Sequence, residues 1–70
     1  VKRKPVNSSN IISIGYDAAK KILEIEFKNG IYQYFEVPPK VYQKLMESKS
    51  HGKFFYSNIK NAGYSFKKIR

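Results

Sequence analysis

The chain contains no cysteine and no tryptophan, one histidine, one methionine and only five acidic residues among 70. Without cysteine there is no disulfide framework and no thiolate metal site. Secreted domains this small usually carry disulfides, so the composition points to an intracellular, cytoplasmic setting. No apolar run reaches membrane-spanning length and no signal-peptide pattern opens the chain, so no membrane role is expected. Val1 stands where a start methionine would, which fits either a domain excised from a longer protein or a trimmed product. Seventy residues make a single domain. Folding of such a chain buries only about 60% of its surface, a thin margin against chain entropy.

What is abundant is aromatic and basic. Six Tyr and five Phe supply burial in the absence of staples. Fourteen Lys and Arg face the five acids, for a net charge of +9. Six of those positive charges sit in the tails, at Lys2, Arg3, Lys4, Lys67, Lys68 and Arg70, so residues 5–66 carry +3. Such an excess predicts attraction to polyanions, nucleic acid being the commonest.

Hydrophobic periodicity organises the rest. Residues 1–10 are polar, basic and aperiodic, and read as an N-terminal arm; residues 11–70 read as the domain. Ile12, Ile14 and Tyr16 alternate with Ser13 and Gly15, the period of a half-buried strand. Residues 17–21 form a turn. Leu23, Ile25 and Phe27 alternate with Glu24, Glu26 and Lys28. Asn29-Gly30 then marks a type I′ hairpin, and a third strand runs from Ile31 to about Val37. A two-residue turn there pairs Lys28 with Ile31, Phe27 with Tyr32, and Ile25 with Tyr34. Paired residues share a face, so Tyr32 and Tyr34 join Leu23, Ile25 and Phe27 inside. Glu24, Glu26, Gln33 and Phe35 fall outside. A three-residue turn would invert both sets.

Pro38-Pro39 opens a helix expected over residues 39–48, with Val41, Tyr42, Leu45 and Met46 as its apolar stripe and Lys40 and Lys44 on its flank. Ser50 is the expected N-cap of a second helix running to Lys60, with Phe54, Phe55, Asn58 and Ile59 inward. Gly63 suits a helix C-terminus, and residues 64–69 read as a short fourth strand. Strands followed by helices give an α+β fold. It is an antiparallel three-strand meander plus a short C-terminal edge strand, with two helices packed on one face. The expected inner face is Ile12, Ile14, Leu23, Ile25, Phe27, Tyr32 and Tyr34, covered by Tyr42, Leu45, Phe54, Phe55 and Ile59.

Catalytic chemistry has little to work with. His51 is the only histidine and has no carboxylate near it in sequence, and a lone surface histidine is usually inert. Glu24 and Glu26 lie roughly 7 Å apart on one strand face, loosely like a glycosidase pair, but a solvated strand face is the simpler reading. No phosphate loop, zinc-protease motif or metal-spaced cluster occurs. No enzyme activity, cofactor or metal is expected.

Binding chemistry is better represented. Lys53, Tyr56 and Lys60 fall in one stripe about 60° wide, away from Phe54, Phe55 and Ile59. Two ammonium groups flanking an exposed aromatic suit a phosphate-plus-base contact. The turn Ser50-His51-Gly52-Lys53 offers backbone amides to a phosphate. The candidate nucleic-acid-binding set is Lys53, Tyr56, Lys60, Lys40, Lys44, Lys67 and Lys68. A sheet-borne stacking platform at Tyr32 and Tyr34 is disfavoured by their inward register.

The order and spacing of several short motifs resemble the KTSC domain family. They are Ser8-Ser9-x-Ile11-x-Ser13-Ile14-Gly15-Tyr16-Asp17, then Leu23 to Tyr34 with its central Tyr-x-Tyr, then Val37-Pro38, Val41-Tyr42, Ser50-x-Gly52, Phe54-Phe55 and Ile59-Lys60. The resemblance covers Val6 to Ile69. The family takes its name from the C-terminal region of some lysyl-tRNA synthetases, and many members are free-standing small bacterial or phage proteins. The resemblance implies a domain for which RNA binding is proposed. Tyr56 departs from the pattern, standing where the family commonly has Asn. The expectation is therefore a non-catalytic nucleic-acid-binding module that prefers RNA, with tRNA among the candidates. Its alternative is a protein-interaction module that meets an acidic partner through Ile22, Ile31 and Phe35.

Overall fold

A computed structural model of the chain describes residues 2–70. Five antiparallel strands follow one another across a single sheet in the order β1-β2-β3-β4-β5. They are β1 (Arg3–Pro5), β2 (Ile11–Asp17), β3 (Ile22–Phe27), β4 (Gly30–Tyr34) and β5 (Phe66–Lys68). Between β4 and β5 the chain makes α1 (Pro39–Glu47), α2 (His51–Asn58) and a 3-10 turn at Lys60–Ala62. The α+β expectation holds, with one strand more than the sequence suggested. Part of the supposed arm is that strand: Arg3, Lys4 and Pro5 pair with Gly15, Ile14 and Ser13. Pro5 is tolerated because β1 is an edge, where a missing N–H costs no ladder bond.

The β3–β4 hairpin turns one residue earlier than expected. Phe27 pairs with Gly30, Glu26 with Ile31, Ile25 with Tyr32 and Leu23 with Tyr34. Lys28 and Asn29 make the turn, and neither has the positive φ that a type I′ turn requires. Gly30 carries the unusual backbone instead, at φ 151°. A Cβ there would lie 2.5 Å from the Arg70 carbonyl oxygen. The turn therefore places glycine where the C-terminal segment crosses the hairpin. The register differs by two residues from the expected one, so every side chain keeps its assigned face.

Ile12 does not reach the core. It is 44% exposed, whereas Ile11 is buried. The cause is a bulge between Ile11 and Ser13: Ser13 pairs with Glu26, yet Ile11 already pairs with Phe27. One extra residue is accommodated, and the alternation resets across it. β4 also ends at Tyr34 rather than Val37. Glu36 adopts a left-handed φ of 58° and turns the chain, and the Val37 amide donates to the Lys21 carbonyl at 2.9 Å.

The core lies between the sheet and the two helices. Ile11, Ile14, Leu23, Ile25, Tyr34, Val37, Leu45, Phe55 and Ile59 form one buried cluster. Phe27, Tyr32, Val41, Tyr42, Met46 and Phe54 pack against it half-buried. Asn58 is not inward; it is exposed, and its side-chain amide donates to the Phe54 carbonyl at 3.2 Å. α1 starts on Pro39 after an extended Pro38. At its end three donors converge on the Leu45 carbonyl: the Ser48 amide at 3.3 Å, the Ser48 hydroxyl at 2.8 Å and His51 Nδ1 at 2.8 Å. Such a carbonyl has no partner inside the helix, so the α1–α2 corner is fastened there. Ser50 caps α2 as expected, its hydroxyl accepting from the Lys53 amide at 3.3 Å. Gly63, at φ 85°, closes the 3-10 turn in the left-handed conformation.

Candidate nucleic-acid interface

The outer sheet face holds the acids that sequence reading left in solvent. Glu24 is only 3% exposed. Arg3 donates to Glu24 Oε2 through its guanidinium and to the Ser13 hydroxyl through Nε at 3.0 Å. Gln33 donates to Glu24 Oε1 at 2.8 Å, and Ser13 donates to Glu26 Oε1 at 2.8 Å. Strand pairing builds this network, because Arg3, Gly15, Glu24 and Gln33 are successive partners across β1 to β4. Arg3–Glu24 is the only ion pair among the described residues. Arg3 thus leaves the supply of free positive charge, and Glu24 and Glu26 are engaged in the fold. His51 is likewise engaged: a carbonyl only accepts, so the proton sits on Nδ1 and the ring fastens α1 to α2.

The free cations lie elsewhere. Tyr56 shares a hollow with Lys53 and its ring faces Lys60, although α2 ends at Asn58 and the 3-10 turn carries Lys60. Lys60 Nζ stands 5.1 Å from the centroid of the Tyr56 ring, and that side chain is 56% exposed. Lys53 and Tyr56 also line a polar hollow of about 620 Å³ between α2 and the loop Asn7–Asn10, with Lys49, His51 and Gly52 on its wall. Gly52 faces this loop at ordinary contact distance, since a Cβ there would lie 3.7 Å from Asn10 Nδ2, and the approach does not require glycine. The hollow, Lys49 and the Asn7–Asn10 wall were not legible as a site. Its sequence cues are the Ser/Asn run of residues 7–10 and the Gly-containing start of α2, each of which also fits a simpler role, an arm and a cap. The α2 start offers less than expected to a phosphate, because Ser50 already takes the Lys53 amide.

The remaining candidates do not converge. Lys40 and Lys44 are exposed on α1 and line neither concavity described here. Lys67 pairs with Gln33 on the outer face, whereas Lys68 pairs with Tyr32 on the inner face. Lys68 Nζ lies 6.0 Å from the Tyr32 ring centroid. Tyr34 is core, and burial first, with Tyr32 second, pushes its phenol up to about 12. Tyr32 is half-buried and lines a second concavity of about 350 Å³ with Tyr34, Phe66 and Lys60. Of the apolar side chains assigned to a protein-binding face, Ile31 is only 5% exposed and Ile22 and Phe35 are half-buried. No helix among the described residues is long and apolar enough to cross a membrane.

Comparison with known proteins places this architecture. A model of the KTSC domain matches residues 7–64. The crystal structure of a KTSC domain protein from Yersinia pestis is similar at a TM-score of 0.94 and 44% identity, over 99% of this chain and 97% of that one. An uncharacterised protein of Stutzerimonas stutzeri strain A1501 is 41% identical over 70 residues, 99% of both chains. A protein of Tsukamurella paurometabola is 43% identical over 58 residues, covering 81% of this chain and 87% of its own.

Proposed function

This chain belongs to the KTSC domain family, and we propose that it is a non-catalytic module that binds single-stranded RNA. The observation that carries the reading is the exposed Tyr56 ring, with the Lys60 ammonium 5.1 Å away and Lys53 beside it on the hollow. A base stacks on the open face of Tyr56 while its phosphates meet Lys53, Lys60 and Lys49. Charge supports the polyanion: the chain is at +9, and the carboxylates Glu24 and Glu26 are already held by Arg3, Gln33 and Ser13.

The test is fluorescence anisotropy of a labelled single-stranded RNA against salt. With three to five phosphate contacts, log K falls with log salt at a slope of about −2 to −3.5. Lys53→Ala and Lys60→Ala each flatten that slope by about 0.7. Tyr56→Ala weakens binding by about 1–3 kcal/mol at unchanged slope, because stacking releases no counterions. Truncating residues 1–5 is the wrong control, since it removes β1 and the partner of Glu24. Neutralising Lys2, Lys4, Lys67 and Arg70 with glutamine leaves both in place. Loss of all binding in that variant would make the tails a nonspecific polycation and overturn the α2 site.

A further inference from the structure

Five aromatic side chains close a circuit at the β4–β5 end of the inner face. Centroid separations run 5.7 Å from Phe27 to Tyr32, 6.3 Å to Phe66, 5.6 Å to Tyr34, 5.4 Å to Phe55 and 5.1 Å back to Phe27. Together with Lys60 and Asn29 they line the cleft of about 350 Å³, within the size range of small-molecule sites. Phe66 is 62% exposed, an unusual position for a large apolar ring that belongs to such a circuit.

Aromatic rings around a cleft ordinarily suggest a cationic ligand, because ring faces attract positive charge. The charges here exclude it. Lys68 already lies over Tyr32, Lys60 lines the cleft, and no carboxylate is among the lining residues. What fits is a flat ring that carries an anion. The five rings meet one another tilted or edge-on, so the plane lies against the exposed Phe66 ring; the Asn29 side chain supplies both a donor and an acceptor for a heteroatom edge, and Lys60 meets the negative charge.

We propose that this cleft receives an unpaired nucleobase, with the attached phosphate against Lys60. The proposal rests on the RNA reading and extends it. Lys60 both lines the cleft and lies over Tyr56, so a strand stacked on Tyr56 delivers its neighbouring base through one shared ammonium.

The experiment is an amide chemical-shift titration of the intact chain with four probes at millimolar concentration: adenosine 5′-monophosphate, adenosine, inorganic phosphate and tetramethylammonium. The monophosphate should move the amides of Asn29, Tyr32 and Phe66, and adenosine should move the same amides more weakly. Phosphate alone and tetramethylammonium should leave Tyr32 and Phe66 unmoved. Phe66→Ala should weaken the monophosphate about tenfold, the scale of one lost stacking contact. Lys60→Gln, at an exposed position that cannot compromise the core, should weaken the monophosphate but not adenosine. No movement of Tyr32 and Phe66 with the monophosphate, equal movement with phosphate alone, or preference for tetramethylammonium would overturn the cleft. A single-stranded RNA decamer separates the two readings. If it binds and shifts Tyr56 but not Phe66, the cleft fails and the RNA site stands. If the decamer does not bind while the monophosphate fills the cleft, the RNA reading fails and the cleft stands.

Discussion

On the inner face of the sheet, Ile14, Leu23 and Ile25 are fully buried in a cluster with Leu45, Phe55 and Ile59. On the outer face Glu24 is nearly as buried, but between Arg3 and Gln33. The two faces keep water out by different forces. The inner one removes apolar surface from solvent without regard to direction, at roughly 25 cal/mol per Å². The outer one depends on directed bonds, in which every member needs its partner and a half-satisfied network is worse than none. The inner face should therefore lose stability in proportion to the atoms removed. The outer face should lose it abruptly when one partner goes, and recover when the other is neutralised.

The largest effect belongs to the inner face. Ile25→Ala, fully buried on the central strand, should cost about 3–4 kcal/mol, a large share of the stability of so small a domain. Urea denaturation reads it directly. A loss under about 1 kcal/mol would mean that the site collapses without leaving a cavity, and that packing on this face is loose.

The outer face comes next. Arg3→Ala strands a buried carboxylate at Glu24 and should cost about 2–3 kcal/mol, somewhat below a fully buried pair because the Arg3 side chain is 24% exposed. Adding Glu24→Gln to that variant should restore most of the loss, since the amide carries no charge and can still accept from Gln33. If the double variant stays as unstable as the single one, Arg3 acts by holding β1 in place rather than by neutralising Glu24. Thermal melts of the four proteins in the cycle decide this.

The same contrast governs what the amino-acid order revealed. Alternation over Leu23–Phe27 reports side-chain face with period two, so Leu23, Ile25, Phe27, Tyr32 and Tyr34 were assigned correctly even though the hairpin turns one residue early. Ile12 defeated the same rule because a bulge adds one residue without changing composition. β1 was illegible for a different reason. Lys2-Arg3-Lys4-Pro5 has no apolar period, and β1 joins the sheet through partners distant in the chain: Gly15, Ile14 and Ser13 on β2, and Glu24 at a separation of 21 residues from Arg3. In the candidate site, Tyr56 and Lys60 meet at the i, i+4 separation that a helix would give, although the chain has passed into a 3-10 turn by Lys60. The hollow opposite Asn7–Asn10 and the aromatic circuit through Phe66 have no such local spacing, because each joins segments distant in the chain.

The smallest effect lies in a titration that only the inner face can show. Tyr34 is an acid that folding moves into apolar surroundings, and its phenol rises from an ordinary value of 10.0 to about 12. A raised folded value means that the folded state keeps its proton after the unfolded chain has released it. Stability from this group is therefore fully present below about pH 10 and is lost as the pH climbs towards 12. Two units correspond to about 2.7 kcal/mol at most, and screening at the partly polar rim should leave about 1–2 kcal/mol. Tyr34→Phe preserves the ring and its contacts with Phe55 and Phe66 while removing the proton. The difference in unfolding free energy between the two proteins should be flat from neutral pH to about pH 10, then shift in favour of the phenylalanine variant. If the difference stays flat to pH 12, the phenol reaches solvent through the cleft and ionises without opposing the fold.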